Sequence, residues 1–292
     1  MKVSCIIPTF KNKSKKRGAL LLVLERLYAL KDIWPEVEVI VVDIDGVEAI
    51  EAICAAQKLG LSVTAVQFPF PFNRSGARNF GVENSSGEFL WFLDDDTVPL
   101  EIPSFQAIST LVKKGSFACG AKRYWSKIGW DFSNMSSNLR ANPSGVKNES
   151  ILPCGINRES GYRDLQEFSF FGNCGFIWRS DFHLIGGFDQ EMFPSRREDV
   201  ELMYRLLLNG MDYVHLNDST SVLHLTHPAD LQDEGERSAC HSLFREHELA
   251  NGYFFRVNNL FGIDEGDGTD VLEPVNGYGI GLNDSQDRYS RN

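Results

Sequence analysis

Three consecutive aspartates, Asp94, Asp95 and Asp96, follow the apolar run Phe89–Leu93. Like charges at the end of a buried strand repel one another and lose hydration, so a compensating cation is expected beside them. Their oxygens are hard donors, suited to Mg2+ or Mn2+. On an extended backbone Asp94 and Asp96 would face one way and Asp95 the other. A lone D-x-D also fits a solvated turn or a helix N-cap, so its surroundings decide the reading. Upstream, "NRSGARNFG" holds Asn73 and Arg78. Arg78 falls about one turn into an expected helix, where its guanidinium can neutralise a carboxylate or phosphate in bidentate fashion. A helix start near Ser75 and Gly76 favours an anion as well.

Downstream, Glu198 and Asp199 open the amphipathic stretch "EDVELMYRL". Adjacent carboxylates can divide roles, one orienting a hydroxyl and the other taking its proton, although acids at a helix start also serve as caps. In "HLTHP", His224 and His227 lie near a strand end, where either can join Asp96 in a mixed oxygen and nitrogen site acceptable to Mn2+. Any single histidine here also fits a structural role.

The elements that must position these groups are legible as alternation. "VSCIIPTF" reads as a strand, "ALLLVLERLYAL" as a helix and "VEVIVVDIDG" as a strand, which together make a parallel β-α-β unit. The pattern repeats with "VEAIEAICAAQKLG" as helix, "SVTAVQF" as strand, "SGARNFGVENSSG" as a helix ending near Gly87, and "EFLWFLDDD" as strand. Such alternation implies a doubly wound α/β sheet with helices on both faces, whose ligands collect beyond the carboxyl ends of the strands. Thr9, Asp43, Asp45, Asn73 and the triplet all sit at those ends. Beyond Pro99, "SFQAISTLVKKG" is an expected helix, "FACGAKRYW" a strand, and "YVHLNDSTSVLHLTHP" one or two strands. Residues 126 to 163 read as a long loop, and 263 to 292 as an acidic, glycine-containing tail with loose order.

A net charge of -11 argues against broad attachment to nucleic acid. The six cysteines form no C-x-x-C pair and read as reduced, mostly buried thiols. No apolar run reaches the roughly 18 residues of a membrane span, and the amino-terminal stretch lacks the long apolar core of a secretory signal, so the expected location is cytoplasmic. Lys11–Arg17 carries five cations in seven residues. That run fits a solvated loop or attraction to an anionic membrane or acceptor.

In order, "CIIPTF", "VIVVDIDG", "NRSGARNFG", "FLDDDTVP", "GNCGFIWRSDFHLIGGFDQEMF", "REDVELMYR" and "HLTHP" resemble family 2 of the inverting glycosyltransferases over roughly residues 3 to 228. That family has the GT-A fold, a Rossmann-like nucleotide-binding mixed sheet flanked by helices in one compact domain. Gly172 to Arg205 is similar to the acceptor-side region of galactosyltransferases and chondroitin-polymerase-type enzymes. The resemblance implies metal-dependent transfer of a sugar from a nucleotide diphosphate sugar, most commonly a UDP-sugar, to an acceptor hydroxyl in glycan or polysaccharide synthesis.

By the same resemblance Pro8, Thr9 and Phe10 line the nucleotide pocket, Asp43 or Asp45 contacts the base, and Asn73 and Arg78 lie near the diphosphate. Asp94 approaches the ribose or the metal, Asp95 the donor sugar or Arg78, and Asp96 and His224 bind Mn2+ or Mg2+. Asp199 is implied as the general base and Glu198 as the acceptor's holder. Residues 1–99 form the donor half, 100–262 the acceptor and catalytic half, and 263–292 the tail. Arg196 and Arg197 stand where the family often has a tryptophan-glycine pair, which implies an anionic acceptor. Two other readings stay open. One is a sugar nucleotidyltransferase, although "PTFKNKSKKRG" has its glycine late for a phosphate loop; the other is a non-catalytic nucleotide-sugar-binding module.

Overall fold

Along β1 (Val3–Thr9), Val3, Cys5 and Ile7 enter one buried cluster and Ile6 the other. β2 (Val37–Asp43) repeats the division, with Val39 and Val41 on the first side and Ile40 and Val42 on the second. β4 (Phe89–Phe92) does the same with Phe89 and Trp91 against Leu90 and Phe92. Side chains alternate along a strand, so three strands that turn apolar residues to both sides must be covered on both faces. α1 (Ala19–Ala29) and α2 (Val47–Leu59) cover the first face, and α3 (Arg74–Glu83) covers the second. The structure is a computed structural model that describes residues 1–10, 18–43, 47–69, 73–119, 121–125, 171–190, 198–216 and 220–225. Asp45, the Lys11–Arg17 run, the 126–163 loop, Arg196, Arg197, His227 and the 263–292 tail lie outside the described residues.

Close packing of α3 depends on Gly81. A Cβ there would meet Ile6 Cγ2 at 2.6 Å and Val42 Cγ2 at 2.8 Å. Both neighbours are β-branched residues in central strands, which yield little. Gly81→Ala is therefore expected to destabilise the chain by about 1–3 kcal/mol, because overpacking outweighs alanine's better helix propensity. Urea denaturation measures this, and an unchanged or raised midpoint would show that the helix can back away.

Among the described residues the larger sheet has the order β3-β2-β1-β4-β8-β6-β9, where β3 is Val63–Gln67, β6 Ser116–Cys119, β8 Gly175–Trp178 and β9 Asp212–His215. β1, β2, β3 and β4 run parallel, and β8 runs antiparallel to both β4 and β6. The chain passes from β1 outward to β3, then crosses back to place β4 on the other side of β1. The carboxyl ends of β1 and β4 thus flank a topological switch point, where open α/β sheets hold ligands.

The stretch after the triplet departs from expectation. Thr97–Glu101 is β5, the first strand of a second, three-stranded sheet ordered β5-β10-β7 among the described residues, with β7 at Lys122–Trp125 and β10 at Ser221–His224. "FACGAKRYW" is accordingly two strands in different sheets, and "YVHLNDSTSVLHLTHP" contributes β9 to one sheet and β10 to the other. A short strand holding Pro99 is tolerated because β5 is an edge. Its carbonyls at Pro99 and Leu100 accept from the Arg26 guanidinium at 2.7 and 2.6 Å. α3 ends at Glu83, short of the expected Gly87, and α4 spans only Phe105–Leu111. Cys5, Cys119 and Cys174 are buried free thiols, while Cys54 is exposed.

Candidate active site

The triplet connects the two sheets, and it is a turn. The Thr97 N–H donates to the Asp94 carbonyl at 3.1 Å, so strand alternation stops at β4 and does not order the three side chains. Each carboxylate instead meets a separate partner. Asp94 Oδ1 accepts from Arg78 Nη2 at 2.9 Å. Asp95 Oδ2 accepts from the Thr9 hydroxyl at 2.7 Å, across the switch point. Asp96 Oδ1 lies 3.4 Å from His224 Nδ1. Of the two roles expected for Asp95, at the donor sugar or at Arg78, the second falls to Asp94, which the turn delivers to that guanidinium.

Arg78 gathers three acids from two distant stretches of chain. Its side chain is 1% exposed, and besides Asp94 it donates from Nη1 to Glu198 Oε1 at 2.9 Å and approaches Asp199 Oδ1 at 3.5 Å. Glu198 and Asp199 open α7 (Glu198–Leu208), whose apolar residues Leu202, Met203 and Leu206 pack in the second cluster. That packing turns the amino-terminal end of α7 toward the start of α3. Between them come α5 (Phe171–Cys174) and α6 (Arg179–Leu184). The Gly172 N–H donates to Asp199 Oδ1 at 3.3 Å. Gly172 has no space for a side chain, because a Cβ would collide with the Arg78 guanidinium.

The electrostatics follow from burial. Burial alone would lower the Arg78 pKa, but Asp199, Asp94 and Glu198 together raise it, so its charge is fixed. Burial pushes the Asp199 carboxyl up to about 8; Glu198 adds to the rise, while Arg78 opposes it. A carboxyl in that range can hold or release a proton near neutrality, as a general base requires.

Asp96 and His224 are placed by β10. His224 is its last residue, in register with Thr97, and the Leu225 N–H donates to the Asp96 carbonyl at 2.8 Å. The side chains are 10% and 11% exposed, and the carboxylate oxygen and imidazole nitrogen converge closely enough to share one cation. Among the described residues no group of three or more His, Cys, Asp and Glu forms a ready-made cage. A full cage is not what Mg2+-like ions need when the substrate carries phosphates, because one or two protein ligands then suffice. The donor pair therefore fits such an ion.

Sequence reasoning missed Arg74 and Gly172. Arg74 sits in the first turn of α3; burial lowers its pKa, but Asp94, Glu198 and Asp96 raise it more, so it is a second cation in the field of Asp94 and Glu198. The four-residue step from Arg74 to Arg78 puts both on one helix face, a signal present in "NRSGAR". Gly172 carried no signal, because it lies in an apolar run and its need arises from a side chain about a hundred positions away.

Residues 4–183 match the profile described as glycosyl transferase family 2. The chain belongs to that family. No curated protein matches this family 2 chain significantly by sequence. Among solved structures it is similar to the mannosyltransferase PcManGT from Pyrobaculum calidifontis in complex with GDP-Man and Mn2+, at 15% identity and TM-score 0.56, covering 90% of this chain and 67% of that one. It is also similar to S. aureus TarS 1-349 in complex with UDP-GlcNAc, at 16% identity and TM-score 0.52, covering 79% and 60%. A third is GalNAc-T7 with UDP, GalNAc and Mn2+, at 14% identity and TM-score 0.52, covering 80% and 44%. The family 2 chain thus spans only part of the length of these proteins. What the likeness carries is the fold, which is GT-A as expected.

Within that fold Pro8 is buried, and Thr9 and Phe10 are partly exposed where β1 ends. Asp43 pairs through its backbone with Thr9 and Gln67 at the ends of β1 and β3. Asn73 caps α3, with Oδ1 accepting from the Gly76 N–H at 2.9 Å. The helix therefore begins at Arg74, slightly earlier than expected.

Proposed function

We propose that this family 2 chain transfers a sugar from a nucleotide diphosphate sugar to an acceptor hydroxyl, with inversion and with a divalent cation. The observation that carries the reading is the meeting of Asp94, Glu198 and Asp199 on one buried arginine at the switch point of the sheet. In this account Pro8, Thr9 and Phe10 line the nucleotide pocket, with Asp43 or Asp45 reading the base. Asn73, Arg74 and Arg78 bring the amino-terminal end of α3 and two cations to the diphosphate side. Asp94 turns toward the ribose or the cation, and Thr9 holds Asp95 still at the donor.

Asp96 and His224 would hold Mn2+ or Mg2+, which as a Lewis acid offsets charge building on the departing diphosphate. Asp199 takes the proton of the acceptor hydroxyl as it attacks the anomeric carbon, and Glu198 orients the acceptor. The transition state has oxocarbenium character, so carboxylates near the sugar also favour it electrostatically. We place donor binding chiefly in residues 1–99 and acceptor binding in 100–262, with UDP as the favoured nucleotide. The paired Arg196 and Arg197 favour an anionic acceptor. Among the described residues no helix is long and apolar enough to cross a membrane. We assign the chain to the cytoplasm, with Lys11–Arg17 as its contact with anionic surfaces.

Asp96→Ala is expected to weaken Mn2+-dependent UDP binding at least ten-fold, and to leave metal-free binding unchanged, in calorimetric titrations run with Mn2+ and with chelator. Equal affinities for mutant and wild type would remove Asp96 from the cation site. Release of pyrophosphate in place of a nucleoside diphosphate would identify a nucleotidyltransferase.

A further inference from the structure

The segment Ile185–Gln190 lies outside every helix and strand, yet it is fixed from two sides. Asn79 Nδ2 donates to the Phe188 carbonyl at 2.8 Å, and Asn79 Oδ1 accepts from the Phe188 N–H at 2.9 Å. One side-chain amide thus satisfies both polar groups of one residue's backbone. Near the start of α3, Asn73 Nδ2 donates to the Gln190 carbonyl at 2.9 Å. From the other side, Arg205 on α7 donates from Nη1 to the Ile185 carbonyl at 2.7 Å, while Glu201 holds the same guanidinium. The Arg78 guanidinium lies 5.0 Å over the Phe188 ring while it also pairs with Glu198.

These contacts close a ring: α3 to the segment, the segment to α7, and α7 back to α3 through Arg78. The ring needs a glycine, since a Cβ on Gly187, whose φ is +75°, would meet Asn79 Oδ1 at 2.7 Å. Nothing in the acid-base chemistry requires an amide at position 79, so its bidentate use on a backbone 109 positions away asks for another purpose.

We propose that Asn79, assisted by Asn73, is a positioning residue that latches Ile185–Gln190 to α3, so that α7 presents Glu198 and Asp199 in register with the donor. This rests on the function proposed above. α3 is then the common reference for both substrates: its first turn faces the donor, and its second turn fixes Ile185–Gln190, which α7 also holds through Arg205. Displacement of a reacting group by about 1 Å can cost about a hundred-fold in rate, which makes such a latch consequential without touching either substrate.

The test compares the full-length wild type with Asn79→Ala, Asn79→Asp and, as a control at the end of the same helix, Asn84→Ala. By hydrogen exchange, Asn79→Ala is expected to speed exchange at least ten-fold in peptides covering 185–190 and 198–208, with 37–43 and 89–93 unchanged. Asn79→Asp keeps an acceptor for the Phe188 N–H but loses the donor, so it should fall between. Asn84→Ala should match wild type. Affinity for UDP or GDP with Mn2+, whichever the wild type binds, should change less than two-fold, while kcat for the corresponding nucleotide sugar falls at least ten-fold. Exchange that rises throughout the chain, exchange that stays unchanged at 198–208, or an unchanged kcat overturns the positioning role. If the wild type binds neither nucleotide, the proposed function fails instead. Confined loosening of 198–208 would then still uphold the latch, and unchanged exchange there would overturn it.

Discussion

Replacing Arg78 by methionine should cost about 3–5 kcal/mol of folding stability, measured by urea denaturation at neutral pH. The guanidinium is almost wholly buried and meets Asp94, Glu198 and Asp199. Methionine fills similar volume, so little of the loss would come from a cavity. The loss comes from acids left facing one another without their cation, in a place where water cannot replace it. The deficit should shrink as pH falls toward 4, because protonation removes the repulsion that the mutation exposes. A deficit that stays constant with pH would mean that Arg78 acts by packing alone. Arg78→Lys should recover only part of the stability, since one ammonium cannot reproduce a fork that serves acids on two elements.

Asp199→Asn should lower sugar transfer by about 10² to 10⁴, the usual worth of a general base, with donor binding nearly intact. Two further signs follow from its environment. Because burial pushes the Asp199 carboxyl up to about 8, wild-type turnover should fall as pH drops below that value and the base becomes protonated. A carboxyl whose pKa is raised by folding contributes stability below its unfolded pKa, near 4, and loses that contribution as pH climbs through the folded value. Asparagine has no such loss, so Asp199→Asn should be at least as stable as wild type at pH 8. A variant that is both inactive and unfolded would assign Asp199 to structure, and one that transfers sugar at the wild-type rate would remove it from the chemistry.

The sequence made the donor side of this molecule readable because β1, β2 and the run from β4 to Leu93 each lead from apolar residues into polar ones. Thr9, Asp43 and the triplet could be placed at one edge from that pattern alone. What it could not show is how the triplet bends. Period-two reasoning treats Asp94 to Asp96 as strand, whereas the Thr97 N–H closes a turn onto Asp94 and sends each carboxylate elsewhere. The second sheet was hidden for a related reason. β5, β7 and β10 are four or five residues long, too short for periodicity to separate from loop, and their partners lie far away in the chain. The helix of Glu198 and Asp199 was legible from its apolar spacing. Its pairing with Arg78 was not, because 120 residues separate Arg78 from Glu198. Asn79 shows the same limit: its type gave no clue, and only the fold brings Phe188 to it.

The most direct measurement is a thermal-shift panel of nucleotide sugars, including UDP-sugars and GDP-mannose, on the wild-type chain with Mn2+, with Mg2+ and with chelator. One nucleotide sugar is expected to raise the melting temperature in the presence of the cation, and chelator to abolish the shift. Melting that no nucleotide sugar alters under any condition, or a shift that survives full chelation, would contradict the proposed function.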